Sequence, residues 1–306
     1  LKIRFWGVRG SIPIPGHDTI RYGGNTPCIE VTSSTGDVVI LDAGTGLRCL
    51  GIEMMKRGAL PSPIHLLISH THWDHIQGFP FFAPCYVPGA VVHVRGPVHF
   101  RNNRSLQHVF EAQMQYEFFP VSNTQLAATI TYDSLAETTF PLGSLTVTTQ
   151  FMNHSVQAIG YQLREQDTIL VYTGDHEPYY DVFHADPAPH ESEDDLLFGD
   201  TENMVQNATE RFLAFLSNAD LAIMDCQYTP EEYPAKKRTW GHSSWDYCLD
   251  WMHKASVKRM VLTHHDPLRT DDALDALYEH IRTAAASRGI DPDAVCLACE
   301  GMEITI

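Results

Sequence analysis

The sequence predicts a layered α/β protein in which two mixed sheets are sandwiched between helices, a four-layer αββα arrangement. Three observations carry this expectation. Short apolar strands crowd the first half and the middle of the chain, and the last third alternates helix with strand. The length of 306 residues, 43% hydrophobic and 19% charged, is ordinary globular composition with enough chain to bury a sizeable core.

The elements follow in order. Residues 1–6 read as a strand and lead into a Gly- and Pro-rich loop through Pro15, Gly16, Gly23 and Gly24. Residues 28–32 and 38–42 form a hairpin that turns at Thr35 and Gly36. Leu47, Leu50, Met54 and Met55 recur at helical spacing, and residues 64–69 are a short apolar run of the kind buried strands show. A strand at 91–94 and a helix over 105–116 come next. Closely spaced strands at 128–132, 145–151, 158–163 and 168–172 suggest a meander. Residues 178–202, rich in Pro, Asp, Glu and His, read as an acidic loop or lid. Helices at 202–216 and 243–254 alternate with strands at 221–225 and 259–263. A third helix starts after Thr270, which can cap it, with Asp271 and Asp272 at its positive end. Strands at 294–297 and 302–306 close the chain. The whole of 1–306 reads as one domain.

The formal net charge of −17, from 21 Lys and Arg against 38 Asp and Glu, disfavours a grip on duplex DNA or tRNA, which needs basic surface. A small anionic substrate stays compatible, because bound cations dominate a local field. No run of eighteen apolar residues exists, so no membrane span is expected. The start has neither Met nor a leader pattern, which reads as a trimmed chain or a domain of a longer one. Seven Cys without a visible disulfide framework suit a reducing cytoplasm, and Cys296 and Cys299, without a second pair, read as packing residues. The sequence leaves a homo-oligomer open.

The strongest chemical signal is His70, Thr71, His72, Trp73, Asp74, His75. Four candidate metal ligands fall within six residues at the end of an apolar strand. His70 and His72 share one side of an extended chain, while Asp74 and His75 follow where it turns. Imidazole and carboxylate suit Zn²⁺, Fe²⁺ or Mn²⁺. His154, Asp175 and His264 each lie just past the C-terminal end of a predicted strand, where layered α/β folds assemble their sites.

The HTHWDH cluster, the later His154, Asp175 and His264, and the turn Asp42-Ala43-Gly44-Thr45-Gly46 together resemble the metallo-β-lactamase superfamily over nearly the whole chain. The resemblance implies the metallo-β-lactamase fold and two divalent cations, with Zn²⁺ expected ahead of Mn²⁺ or Fe. It implies that His70, His72 and His154 hold one cation and that Asp74, His75 and His264 hold the other. Asp175 then bridges the two, and Asp42 orients the histidines from behind.

Gly241-His242-Ser243-Ser244-Trp245 stands at a predicted helix start. By residue type, His242 and Ser243 suit helix capping as well as proton transfer. The motif resembles the His-containing motif of the phosphodiesterase branch, which includes RNase Z and the cyclic-ribose phosphodiesterase of phosphonate breakdown. There the His approaches the scissile phosphate. Residues 5–16 and 21–28 resemble bacterial members of the same branch, some fused to sensory or regulatory domains. Between His154 and Asp175, where RNase Z often carries its tRNA-holding arm, only two strands are expected. Cys28 alone stands where the phosphonate-pathway enzyme carries an N-terminal structural zinc site.

The implied activity is hydrolysis of a small cyclic nucleotide or cyclic phosphate by a metal-bridging hydroxide, with Asp74 and His242 catalytic. Acyl hydrolysis of a thioester or lactam, an iron-dependent oxidation and a ligand-binding sensor are the alternatives. His17, His176, His184, His190 and His265 read as structural or exposed. Arg9, Arg21 and Tyr22 are open candidates for substrate contact.

Overall fold

Alternation of side chains along each strand divides the core into three layers. In Val38-Val39-Ile40-Leu41, Val39 and Leu41 pack between the sheets while Val38 and Ile40 face the outer helices. In Leu221-Ala222-Ile223-Met224 the same split puts Leu221 and Ile223 inside and Ala222 and Met224 outside. A strand apolar on both faces is what a sheet covered on both sides requires. The computed structural model describes residues 1–58, 60–97, 104–179, 195–233 and 237–306.

Among these residues the strands form two seven-stranded sheets. The first holds β1 (Lys2–Gly7), β2 (Cys28–Thr32), β3 (Val38–Leu41), β4 (Ile64–Leu67), β5 (Val91–Pro97), β6 (Thr129–Leu135) and β14 (Glu303–Thr305). Its order is β14-β1-β2-β3-β4-β5-β6. The second holds β7 (Thr139–Leu142), β8 (Leu145–Met152), β9 (Ala158–Glu165), β10 (Thr168–Tyr172), β11 (Leu221–Asp225), β12 (Met260–Thr263) and β13 (Val295–Leu297), in the order β13-β12-β11-β10-β9-β8-β7. On the outer face of the first sheet lie α1 (Gly46–Arg57), the single turn α2 (Trp73–Ile76) and α3 (Leu106–Gln113). On that of the second lie α4 (Asp195–Leu216), α5 (Trp245–Lys254) and α6 (Asp271–Ser287). The predicted four layers are therefore present.

Strand direction decides where the site can form. Parallel neighbours need a crossover, and α1 supplies it between β3 and β4, while α4, α5 and α6 supply it between β10 and β11, β11 and β12, and β12 and β13. The C-terminal ends of β10, β11 and β12 thus share one edge. β8 reaches the same edge, because β8–β9 and β9–β10 are both antiparallel.

Three features depart from the sequence reading. β7 was not expected: it contains Pro141, and it survives because it is an edge strand, where a missing N–H is tolerated. The turn α2 falls inside the His cluster. The helix expected from residue 202 begins at Asp195, so the acidic segment 178–202 is helical at its end; its residues 180–194 lie outside the described residues.

Candidate metal centre

All seven predicted ligands follow strand ends, and the segment after β4, a loop and the single turn α2, carries four of them. His70 and His72 are on that loop, and His72, in extended backbone, is the N-cap of α2, whose single turn rotates Asp74 and His75 toward a second point. His154 follows β8, Asp175 follows β10 and His264 follows β12.

The donor atoms converge in two groups. In the first, His70 Nε2 lies 3.0 Å from His72 Nδ1, which lies 3.2 Å from His154 Nε2. Asp175 Oδ2 stands 3.5 Å from His70 Nε2 and 3.8 Å from His154 Nε2. In the second, His75 Nε2 and His264 Nε2 are 3.2 Å apart, and each is 3.3 Å from Asp175 Oδ1. Asp74 Oδ2 completes it, 3.2 Å from His264 Nε2 and 3.4 Å from His75 Nε2. The two oxygens of Asp175 thus face different groups.

This donor set fits divalent cations. Two nitrogens bound at 2.0–2.1 Å to one tetrahedral Zn²⁺ stand roughly 3.3 Å apart, close to the spacings within each group. Two of the outer ring nitrogens are engaged. His154 Nδ1 donates to the Gly241 carbonyl at 2.8 Å, and His75 Nδ1 meets Asp42 Oδ2 at 2.8 Å. A neutral ring that donates through Nδ1 presents its Nε2 lone pair inward. Among the described residues Asp175 Oδ1 is buried without a hydrogen-bond partner, which a neighbouring cation would satisfy.

The electrostatics agree. Burial pulls His70 well below the ordinary histidine range and lowers His154 to about 4, so both are neutral at physiological pH, as ligands must be. His75 is equally buried, which alone would lower it, yet the charges of Asp175, Asp74 and Asp42 carry it well above the ordinary range. Three carboxylates around one imidazole make a strongly negative spot that calls for positive charge.

Asp42 supports the first loop from behind. Its carboxylate accepts from Ser69 N at 2.7 Å, Ser69 Oγ at 2.8 Å and Tyr172 Oη at 2.5 Å besides His75. Asp42 and His264 both hold left-handed backbone, φ 61° and 64°, a conformation that non-glycine residues keep only where surroundings enforce it. Ser11, from the Gly- and Pro-rich loop, donates its N–H to Asp74 Oδ2 at 2.7 Å.

His242 enters from the loop before α5. Its Nδ1 lies 2.9 Å from Asp225 Oδ2, at the end of β11, and 3.8 Å from Asp175 Oδ2. Burial alone would lower its pKa; the charges of Asp225 and Asp175 outweigh that and raise it to about 9. The capping alternative does not hold: Ser244 is the N-cap of α5, and Ser243 Oγ donates to the His176 carbonyl at 2.6 Å. Glu177 fixes the loop by accepting from Thr239 N at 2.6 Å, Gly241 N at 3.1 Å and Tyr233 Oη at 2.9 Å. Gly241 has φ +90°, and a Cβ there would lie 2.2 Å from His154 Nδ1, so glycine is required. Asp225 and Glu177 were missed by the sequence reading. Asp225 had a signal, since it is a carboxylate ending an apolar strand in the manner of Asp42; Glu177 had none.

The open candidates lie elsewhere. Arg9 is fully buried and donates to the carbonyls of Gly23 and Arg269. Arg21 pairs with Asp272 and Asp275, and Tyr22 Oη donates to Asp275. His265 Nε2 meets the Ala298 carbonyl, and His176 stacks on Phe212. His17 is exposed, while His184 and His190 lie outside the described residues. Cys296 and Cys299 pack against different core layers.

Ser11, Thr71, His72, Trp73, Asp74, Asp175, His242 and His264 line one cleft of about 410 Å³. The metallo-beta-lactamase superfamily pattern matches residues 21–212. A ribonuclease Z of Haloarcula marismortui is 24% identical over 99% of this chain and 96% of its own. Among solved structures, the short form of human tRNase Z has a TM-score of 0.62 at 17% identity, covering 100% of this chain and 99% of its own. A diphosphatase of the PhnP family has a TM-score of 0.65 at 14% identity, covering 100% and 97%. These likenesses in structure concern the fold.

Proposed function

Because this chain belongs to the metallo-beta-lactamase superfamily, we propose that it is a two-metal phosphodiesterase acting on a small cyclic nucleotide or cyclic phosphate. The chain is a metal-dependent hydrolase with a His and Asp cluster suited to divalent cations. His70, His72 and His154 would hold one cation and Asp74, His75 and His264 the other, with Asp175 shared. Zn²⁺ is the expected metal. Bound there, the cations would supply a water of lowered pKa and neutralise charge on phosphate.

The protein's own groups do the rest. Asp74, fixed by the Ser11 N–H, offers a carboxylate oxygen to orient the attacking water. His242, with Nδ1 held by Asp225, presents its other nitrogen to the cleft and delivers a proton to the departing oxygen. The observation that carries the reading is this anchored imidazole in the same cleft as both donor groups. A thioester, a lactam or a simple sensor gives no comparable reason for it.

The net charge of −17 supports a small substrate over a long nucleic acid. Transfer-RNA processing is the second reading, favoured by the ribonuclease Z relatives. The chain's place in the cytoplasm belongs to the same proposal; no helix of the described residues is long and apolar enough to cross a membrane.

The test is hydrolysis of bis(p-nitrophenyl) phosphate after chelation and return of Zn²⁺ or Mn²⁺, beside His242→Ala. Turnover should depend on metal and fall by about 10²–10⁴-fold in the variant, with metal content unchanged. Turnover indifferent to His242 removes the proton-donor role. A precursor tRNA in the same assay separates the second reading.

A further inference from the structure

A second cavity, of about 470 Å³, adjoins the catalytic cleft and shares Thr71 and Trp73 with it. Its character is different. Trp73, Phe81, Val109, Ala112, Phe118 and Phe119 contribute apolar walls. Three of these are large side chains left open to solvent: Trp73 is 75% exposed, Phe118 71% and Phe81 55%. A soluble protein seldom gathers exposed aromatic rings around one hollow without a use for them. Gln113 also lines this cavity, and its amide nitrogen Nε2, turned away from solvent, has no hydrogen-bond partner among the described residues. A buried donor left unpaired is costly and marks a place where a partner is expected.

We propose that this cavity binds the aromatic base of a nucleotide substrate whose phosphate sits at the His and Asp cluster. The inference rests on the phosphodiesterase reading and narrows it from any small cyclic phosphate to one bearing a flat heterocycle. Each feature has a counterpart in such a ligand. Aromatic walls accept a ring face, and a turn of the Gln113 side chain would bring its amide to a ring nitrogen or carbonyl. The shared Thr71 and Trp73 make the two cavities neighbours, so one ligand can reach both. An aliphatic cyclic phosphate would leave the hollow and the amide unused.

The test reads binding by calorimetry on the Zn²⁺-loaded protein, with methylphosphonate, phenylphosphonate and pyridin-3-ylphosphonate as probes. Phenylphosphonate should bind about tenfold more tightly than methylphosphonate, from burial of the ring. Pyridin-3-ylphosphonate should bind more tightly still, and Gln113→Leu should cancel that second gain alone. Ala112→Trp, which fills the hollow, should close the phenyl-to-methyl gap. Phe118→Ala, on an exposed side chain, should narrow the gap even if Ala112→Trp fails to fold. Equal or undetectable binding of the methyl and phenyl probes overturns the inference, as does a gap that survives both cavity variants. A pyridyl probe no better than phenyl overturns the role of Gln113. A clear gap without hydrolysis of any phosphodiester leaves the pocket standing and sinks the phosphodiesterase reading instead.

Discussion

The first sheet delivers its share of the site on one loop, four side chains within six residues from His70 to His75, whereas the second delivers one residue per strand end. The loop after β4 depends mainly on local geometry: an extended stretch, one turn of helix, and the Asp42 carboxylate behind it. His154, Asp175, Asp225 and His264 depend on the ladders of β8 to β12. A slip of one residue in any of those ladders would turn the inward set of side chains outward. One half of the site is therefore set largely within one segment and its Asp42 and Ser11 supports, and the other by strand register.

Asp175→Ala should have the largest effect, since its two oxygens serve both donor groups. Metal content measured by mass spectrometry should fall for both cations, and activity should drop to that of the metal-free protein. Retention of one full equivalent would mean that the halves are independent. Asp225→Asn tests the second half alone. Asp225 Oδ2 holds His242, and its Oδ1 stands 3.7 Å from His264 Nδ1. The expected result is a loss of about 10–100-fold in metal affinity or turnover, with the unfolding midpoint little changed. A normal rate would assign His242 no need of an anchor.

The smallest effect concerns a tie between the sheets away from the cluster. Asp37, in the β2–β3 hairpin, accepts from Ser144 N at 2.9 Å, in the β7–β8 hairpin. The Ser144 backbone N–H and the Thr35 and Ser33 hydroxyls hold its carboxyl down to about 2. The folded value lies below the ordinary one, so this stabilisation is complete above about pH 4. It is lost as pH falls through 2. Asp37→Asn should lower stability by about 1 kcal/mol or less at neutral pH, and the difference from the parent should vanish in acid. A constant difference across pH would assign the effect to packing.

The same contrast explains what could be read from the sequence. The HTHWDH cluster was legible because chain proximity and chemistry coincide in it. His154, Asp175 and His264 were legible only as a set that shares strand-end positions and resembles a family. Asp225 shared the position and was passed over, because a single carboxylate ending a strand carries little information until register places it beside His242. Glu177 could not be found at all, since its three donors come from residues 233, 239 and 241, brought together by tertiary folding. Among the elements, Thr168–Tyr172 and Leu221–Asp225 matched residue for residue, as buried apolar runs with sharp edges should. β7 escaped because four residues with Pro141 among them and only Leu142 buried carry little strand signal of their own.

Gly241 and His242 are adjacent in sequence and serve two different parts of the site. The first offers its carbonyl to His154; the second points its ring into the cleft. For anyone transplanting parts between proteins of this shape, the pair is a single module. Neither half can be grafted without the other, and both need the Glu177 carboxylate at the root of the loop. An exchange that respected loop length but broke that unit would unseat the His154 and His242 rings in one stroke.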